Sequence, residues 1–238
     1  MKMKSKIAAV FGLMAVAQMA SAGNITGTVT LSGTPPPEKE IAPLKNDPTC
    51  GKFHTTMPMT QFYVVGANKE LADVVVMLKN VTGKSTGASA PPAELDQKGC
   101  LYTPQILAVQ TDQKIVVKNS DPVLHNVHAI PTAAGNAEMN MAQMPGGADL
   151  TLSFPKPESF LKFKCDVHPW MFAWVTVVDS PYFAVTGADG KFTIKDVPPG
   201  KYTVTALHRK AAPGGIDKEV EVAAGDVTVD FTLEVPAK

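Results

Sequence analysis

The seven residues CDVHPWM, 165–171, place a cysteine, a histidine and a methionine at offsets of zero, three and six. A thiol, an imidazole and a thioether are soft ligands that suit copper. Leu161, Phe163 and Cys165 share one face of LKFKC, so Cys165 ends a strand and His168 and Met171 fall on the turn after it. A short loop can aim all three side chains at one point, and Pro169 stiffens it by fixing φ. A near-trigonal copper site needs one more imidazole beside the thiolate, with the thioether as weak axial ligand. NSDPVLHNVHAI supplies it at His125 or His128, beyond a strand that ends at Asn119. Structural zinc prefers more thiolates or imidazoles and does not use methionine, so Met171 argues for copper. A Cys165–His nucleophile pair leaves Met171 and the second imidazole without a role, and no oxyanion motif is visible.

The chemistry depends on the compartment. Lys2, Lys4 and Lys6 precede an apolar run at 7–17 and then Ala20-Ser21-Ala22. That is the layout of a secretory signal over residues 1–22, with too short an apolar run to span a bilayer. The expectation is an exported, soluble, periplasmic-type protein with no membrane span. Lysine plus arginine equals aspartate plus glutamate at 22 each; losing the three signal lysines leaves 19 against 22, a net charge of about −3. No basic run or basic-aromatic interleaving points to nucleic acid. The cysteines are Cys50, Cys100 and Cys165. In an oxidising compartment two can pair, and only Cys165 sits among metal ligands, so a Cys50–Cys100 disulfide is expected.

The elements that must position these residues read as strands. Ile25, Gly27, Val29 and Leu31 alternate with threonines, Ile115 and Val117 with polar neighbours, and Leu150, Leu152 and Phe154 repeat the pattern. Val227, Val229, Phe231 and Leu233 do so again near the C-terminus. Proline and glycine punctuate the chain at TPPPE, SAPPA, MPGGAD, VPPG and APGG. The fold class is all-β, as sandwich or barrel. Asp189-Gly190 is a hairpin signal, and Pro198-Pro199-Gly200 suits a second turn.

Two resemblances follow. TGADGKFTIKDVPPGKYTVTA, with ITGTV at 25–29 and ADVVVML at 72–78, resembles the carboxypeptidase regulatory-like, transthyretin-like β-sandwich. The resemblance implies one sandwich from 23–83 plus 181–238, with 84–180 inserted; the competing reading makes 74–78 the first strand of the middle domain. Insertion is tolerated where loop ends lie close together. HNVH followed by C-x-x-H-P-x-M resembles the small blue copper proteins, the cupredoxins, over roughly 101–179, with a loop length similar to the amicyanins. That implies a Greek-key β-sandwich with one type 1 copper held by His125, Cys165, His168 and Met171. His128 stays as the alternate to His125. Asn126 would tie the two ligand loops together and shield the sulfur.

Asp166 departs from the family, which often has a neutral residue after the thiolate; its charge is expected to favour Cu(II) and lower the potential. Trp170 and Phe172 are candidates for a partner-docking patch around His168, or for core packing. Met139, Met141 and Met144 form MNMAQM, a candidate secondary Cu(I) cluster or a loop and core edge. His54 and His208 read as lone surface histidines. The expected function is single-electron carriage between a redox donor and acceptor, not enzyme catalysis. The alternatives are copper carriage or storage, and a structural module with an empty site.

Overall fold

The computed structural model describes residues 22–223 and 225–237; the signal segment otherwise lies outside them. The described chain is all-β. It contains seventeen strands, a five-residue helix at Ala42–Asn46 and 3-10 turns at Cys50–Phe53 and Gly87–Ser89. The period-two pattern explains why. In the strand Glu158–Lys164, Leu161 and Phe163 point into a core and Lys162 and Lys164 point out, and Cys165 continues the inward row.

Two separate apolar clusters form. One gathers Leu95, Val109, Ile115, Val117, Val127, Phe154, Leu161, Phe163, Cys165, Met171 and Val175. It lies between a five-stranded sheet, ordered Ile106–Gln110, Phe172–Val178, Glu158–Lys164, His125–Ile130, Met139–Gln143, and a four-stranded sheet of Tyr102–Thr103, Ala93–Gln97, Ile115–Asn119 and Leu150–Leu152. The other gathers Ile25, Val29, Leu31, Val74, Val76, Ile194, Val204, Phe231 and Leu233. Its sheets mix the two ends of the chain. Gly23–Ser32 pairs with Lys191–Val197, Val227–Thr228 and Phe231–Glu234. Val75–Leu78 pairs with Phe183–Val185 and Gly200–Leu207, and the latter with Ile216–Val222. Gly27 allows the close approach of the C-terminal segment: a Cβ there would lie 1.9 Å from the Val229 carbonyl oxygen.

The Asp189-Gly190 turn does not close a hairpin. It joins Phe183–Val185 to Lys191–Val197, which lie in different sheets because each finds its partner in the N-terminal segment. Pro198-Pro199 likewise carries the chain from one sheet to the other. The chain enters and leaves the middle unit at adjacent points: Gly83 N–H donates to Asp179 Oδ2 at 2.6 Å and Lys84 N–H to the Asp179 carbonyl at 3.1 Å.

The segment 39–62 departs from its expected place with the flanking sandwich. Leu44 and Cys50 are fully buried in the middle unit's core, with Ile41 and Met57 packed against them. The disulfide Cys50–Cys100 anchors this strap across the boundary. Arg209 also fastens the two units. Its guanidinium, reaching out from the loop after Gly200–Leu207, stacks 4.6 Å from the Trp174 ring centroid and 5.7 and 5.5 Å from those of Phe172 and Phe62.

Candidate metal centre

The loop 165–171 is closed by its own backbone. Cys165 N–H donates to the Met171 carbonyl at 3.1 Å, and Met171 N–H to the His168 carbonyl at 2.9 Å. The strand Phe172–Val178 starts immediately afterwards and pairs with Glu158–Lys164, so both ends of the loop are pinned by one antiparallel ladder. Cys165 is buried, and its sulfur accepts N–H groups from Asn126 at 3.3 Å and His168 at 3.4 Å. Burial pushes the Cys165 thiol up, but the His125 hydrogen bond and the N–H groups of His168, Asn126 and Val167 outweigh it, and the net shift is down.

His125, first residue of the strand His125–Ile130, faces the same point. Its Nδ1 lies 3.0 Å from His168 Nδ1, and His168 Nδ1 lies 3.7 Å from Cys165 Sγ. Donor atoms of His125, Cys165 and His168 all fall within 4.8 Å of one another. Donors that share one ion at about 2.0–2.3 Å must sit about 3–4 Å apart, so the spacing of this soft donor set fits a single copper. Met171, fully buried in the same core cluster, completes the loop beside it.

His128 goes elsewhere. Its Nδ1 lies 2.9 Å from Asp166 Oδ2 and its Nε2 2.7 Å from Glu138 Oε1, at the surface edge of the strand. The structure brings His125, not His128, to the thiol.

Asp121 is the group that sequence reasoning missed. Its Oδ2 lies 2.8 Å from His125 Nε2 and accepts Cys100 N–H at 2.7 Å, while Oδ1 accepts Gly99 N–H at 2.6 Å. Burial pushes its pKa up, but the bonds from His125, Cys100 and Gly99 hold it below the usual carboxylate range. Conversely, burial lowers the His125 pKa, and Asp121 and Cys165 more than reverse this, leaving it raised. A carboxylate on Nε2 fixes the tautomer that leaves Nδ1 free to ligate. Its four-residue offset from His125 in NSDPVLH was the available signal. His168 is shifted down, by burial first and then by the neighbouring His125 charge.

Asn126 spans the two loops: its N–H meets the Cys165 sulfur, and its Oδ1 accepts Asp166 N–H at 3.1 Å. Tyr102, also unforeseen, donates its hydroxyl to the Asn126 carbonyl at 2.8 Å and lies 3.3 Å from that of Lys164. Asp166 is not a bare charge. Lys164 Nζ sits 2.7 Å from Oδ1, and His128 and Asn140 both reach Oδ2 at 2.9 Å. Lys164 first, then Asn140 and His128, hold its pKa well below the ordinary value.

Trp170 and Phe172 both lie beside the strap. The Trp170 ring lies 5.2 Å from that of His168, and its Nε1–H donates to the Cys100 carbonyl at 3.0 Å. Both aromatics line a recess of about 530 Å³ with Met59, Phe62, Leu101 and Pro104, between the strap and the middle unit. The methionines of MNMAQM separate. Strand alternation puts Met139 and Met141 on the face of buried Gln143, with Met139 against the core, while Met144 is exposed beyond the strand end. His54 Nε2 lies 2.7 Å from the Gly99 carbonyl. His208 is buried rather than superficial, because its Nδ1 accepts the N–H groups of Ala211 at 2.9 Å and Lys210 at 3.2 Å.

No family model and no curated protein matches the chain. Cupredoxins are among the solved structures similar to part of it. A copper-containing nitrite reductase from Thermus scotoductus SA-01 is 18% identical over 37% of this chain, with a TM-score of 0.33; the match spans only 23% of that enzyme's length. An oxidised amicyanin variant is 18% identical over 43% of this chain and 97% of its own, with a TM-score of 0.33. A purple cupredoxin from Nitrosopumilus maritimus is 22% identical over 36% and 98%, with a TM-score of 0.30.

Proposed function

We propose that the chain is an exported type 1 copper protein that carries single electrons between redox partners. The observation that supports it is the convergence of His125 Nδ1, His168 Nδ1 and the Cys165 sulfur in a buried site whose loop ends at buried Met171. Copper bound there would supply reversible one-electron chemistry, Cu(II) to Cu(I). His125, Cys165 and His168 would hold it, with Met171 as a further sulfur donor. Asp121 orients His125, and the Asn126 and His168 N–H groups hold the thiolate. Burial excludes water from the donors.

Copper carriage is less well supported, because Met144 is exposed beyond the strand that carries Met139 and Met141, so the three MNMAQM sulfurs do not form one cluster. No bond-making role is proposed, so the chain is read as a carrier rather than an enzyme. The electron would leave through His168 towards Trp170 and the neighbouring apolar recess, where a redox partner would dock. The flanking strands would form one interrupted sandwich that serves as scaffold, with the strap 39–62 assigned to the copper unit.

Titration of the purified chain with Cu(II) tests the reading. The expected result is an intense visible thiolate-to-copper band that saturates at one copper and is lost in Cys165→Ser. A weak band, or one that survives loss of Cys165, refutes it.

A further inference from the structure

The disulfide does not sit at a neutral place in the fold. The sulfurs of Cys50 and Cys100 and a ring nitrogen of His168 all lie within 4.8 Å of one another. Both cysteines are fully buried, at 0% exposure. Cys100 also touches the supports of both imidazoles. Its N–H bonds the carboxylate of Asp121 that holds His125, and its carbonyl accepts Trp170 Nε1–H, whose ring faces His168. A cross-link that only restricted the unfolded chain would act through the 50 residues it encloses and would need no imidazole beside it.

We propose that Cys50 and Cys100, once reduced to thiols, form with His168 a second Cu(I) site that the disulfide masks. The step balances with a dithiol as reductant. The S–S bond breaks, two electrons and two protons arrive, and the dithiol becomes a disulfide. Each thiol then releases its proton as Cu(I) binds, with no change in the copper oxidation state. Two thiolates and one imidazole are a soft set that suits Cu(I), whereas structural zinc takes four donors.

Reductant reaches the sulfurs through the strap. A five-residue helix, a four-residue 3-10 turn and the isolated bridge Glu40–Met59 are its regular structure, and Phe53, Met59 and Phe62 are exposed on it. Such a segment opens locally at lower cost than the sheets beneath it.

The site goes beyond the proposed electron carrier and is tested without its thiolate. Full-chain Cys165→Ser is prepared with the disulfide intact and, separately, reduced with dithiothreitol and desalted without oxygen. Thiol counting in denaturant checks each form, and near-UV circular dichroism checks the fold. Each form is titrated with Cu(I) against the chelator bicinchoninate. The expected result is one Cu(I) held against the chelator in the reduced form and much weaker uptake in the disulfide form. Adding His168→Ala should weaken that binding by about tenfold or more, and Cys50→Ser with Cys100→Ser should abolish it.

Equal uptake by the two forms overturns the proposal. So does uptake indifferent to His168→Ala, or uptake by a reduced chain whose near-UV signal is lost and stays lost with Cu(I) bound. Failure of the blue copper reading shows separately, as no visible band in the unsubstituted chain with its disulfide intact.

Discussion

Removing the carboxylate of Asp121 should weaken copper binding more than any other single change outside the ligands. The side chain takes three contacts: His125 Nε2 at 2.8 Å, Cys100 N–H at 2.7 Å and Gly99 N–H at 2.6 Å. In Asp121→Ala all three donors lose their acceptor in a site where Asp121 is 6% exposed. At about 1 kcal/mol or more for each orphaned buried donor, the metal-free protein loses about 3 kcal/mol or more. His125 also loses the bond that fixes its tautomer, which costs about 10–100-fold in metal affinity. Asp121→Asn separates the two effects. With its carbonyl oxygen in the Oδ2 position, asparagine keeps His125 and Cys100 and sets its amide against Gly99 N–H. The expected stability loss is then about 1–2 kcal/mol, with affinity at the mild end of that range. Urea unfolding of the metal-free proteins and Cu(II) titration against a chelator read the two quantities. An Asp121→Ala protein with native near-UV dichroism and affinity within about twofold of the parent would refute the claim that Asp121 sets His125.

Arg209→Ala removes a guanidinium stacked on Trp174, Phe172 and Phe62; a loss of about 1–2 kcal/mol is expected, read by urea unfolding followed by tryptophan fluorescence, and an unchanged midpoint would contradict it. Tyr102→Phe should cost about 1 kcal/mol through the bond to the Asn126 carbonyl, and equal stability by the same assay would show that the hydroxyl does not staple the loops. Asp166→Asn should raise the reduction potential only slightly, because Lys164 already pairs the charge; voltammetry showing a fall would reverse the assigned sign. Burial first, and then Arg209, lower the His208 pKa from 6.5 to about 4, so the neutral ring is the folded form. Its contribution is therefore complete above about pH 6.5 and is lost as pH falls towards 4, by up to roughly 3 kcal/mol. His208→Asn should flatten unfolding free energy against pH across that window, and a slope equal to the parent's would refute the linkage.

What was legible was local. The 165–171 loop carries its chemistry in its spacing, and alternation in 161–165 fixed which face Cys165 shares with Leu161 and Phe163. Residues whose role depends on a distant partner left no such trace. Tyr102 bonds backbone 24 and 62 positions away, and Arg209 meets aromatics from two other segments. The strap misled for a related reason. Leu44 and Cys50 are short apolar signals in a proline-bounded stretch, and a buried turn of helix has no period long enough to show which core it joins. His125 and His128 could not be told apart by type, since both stand in one strand. Their partners decided between them, the thiol and Asp121 for one and two surface carboxylates for the other.

The same contacts bear on which kind of copper chemistry the site suits. A carrier that releases its metal gains from donors that move, as flexible methionine side chains do. Here the donors are held from several directions. The Cys165 sulfur accepts two backbone N–H groups, His125 is fixed at Nε2, and the loop that bears His168 is tied at Cys165 and Met171. Tyr102 and Asn126 then bind the strand carrying His125 to the segment carrying Cys165. Positions fixed by packing and hydrogen bonds rather than by the ion change little when the ion changes charge. That rigidity supports the proposed electron transfer rather than metal delivery at the Cys165 centre. The Cu(I) site proposed at Cys50 and Cys100 shares only His168 with that centre.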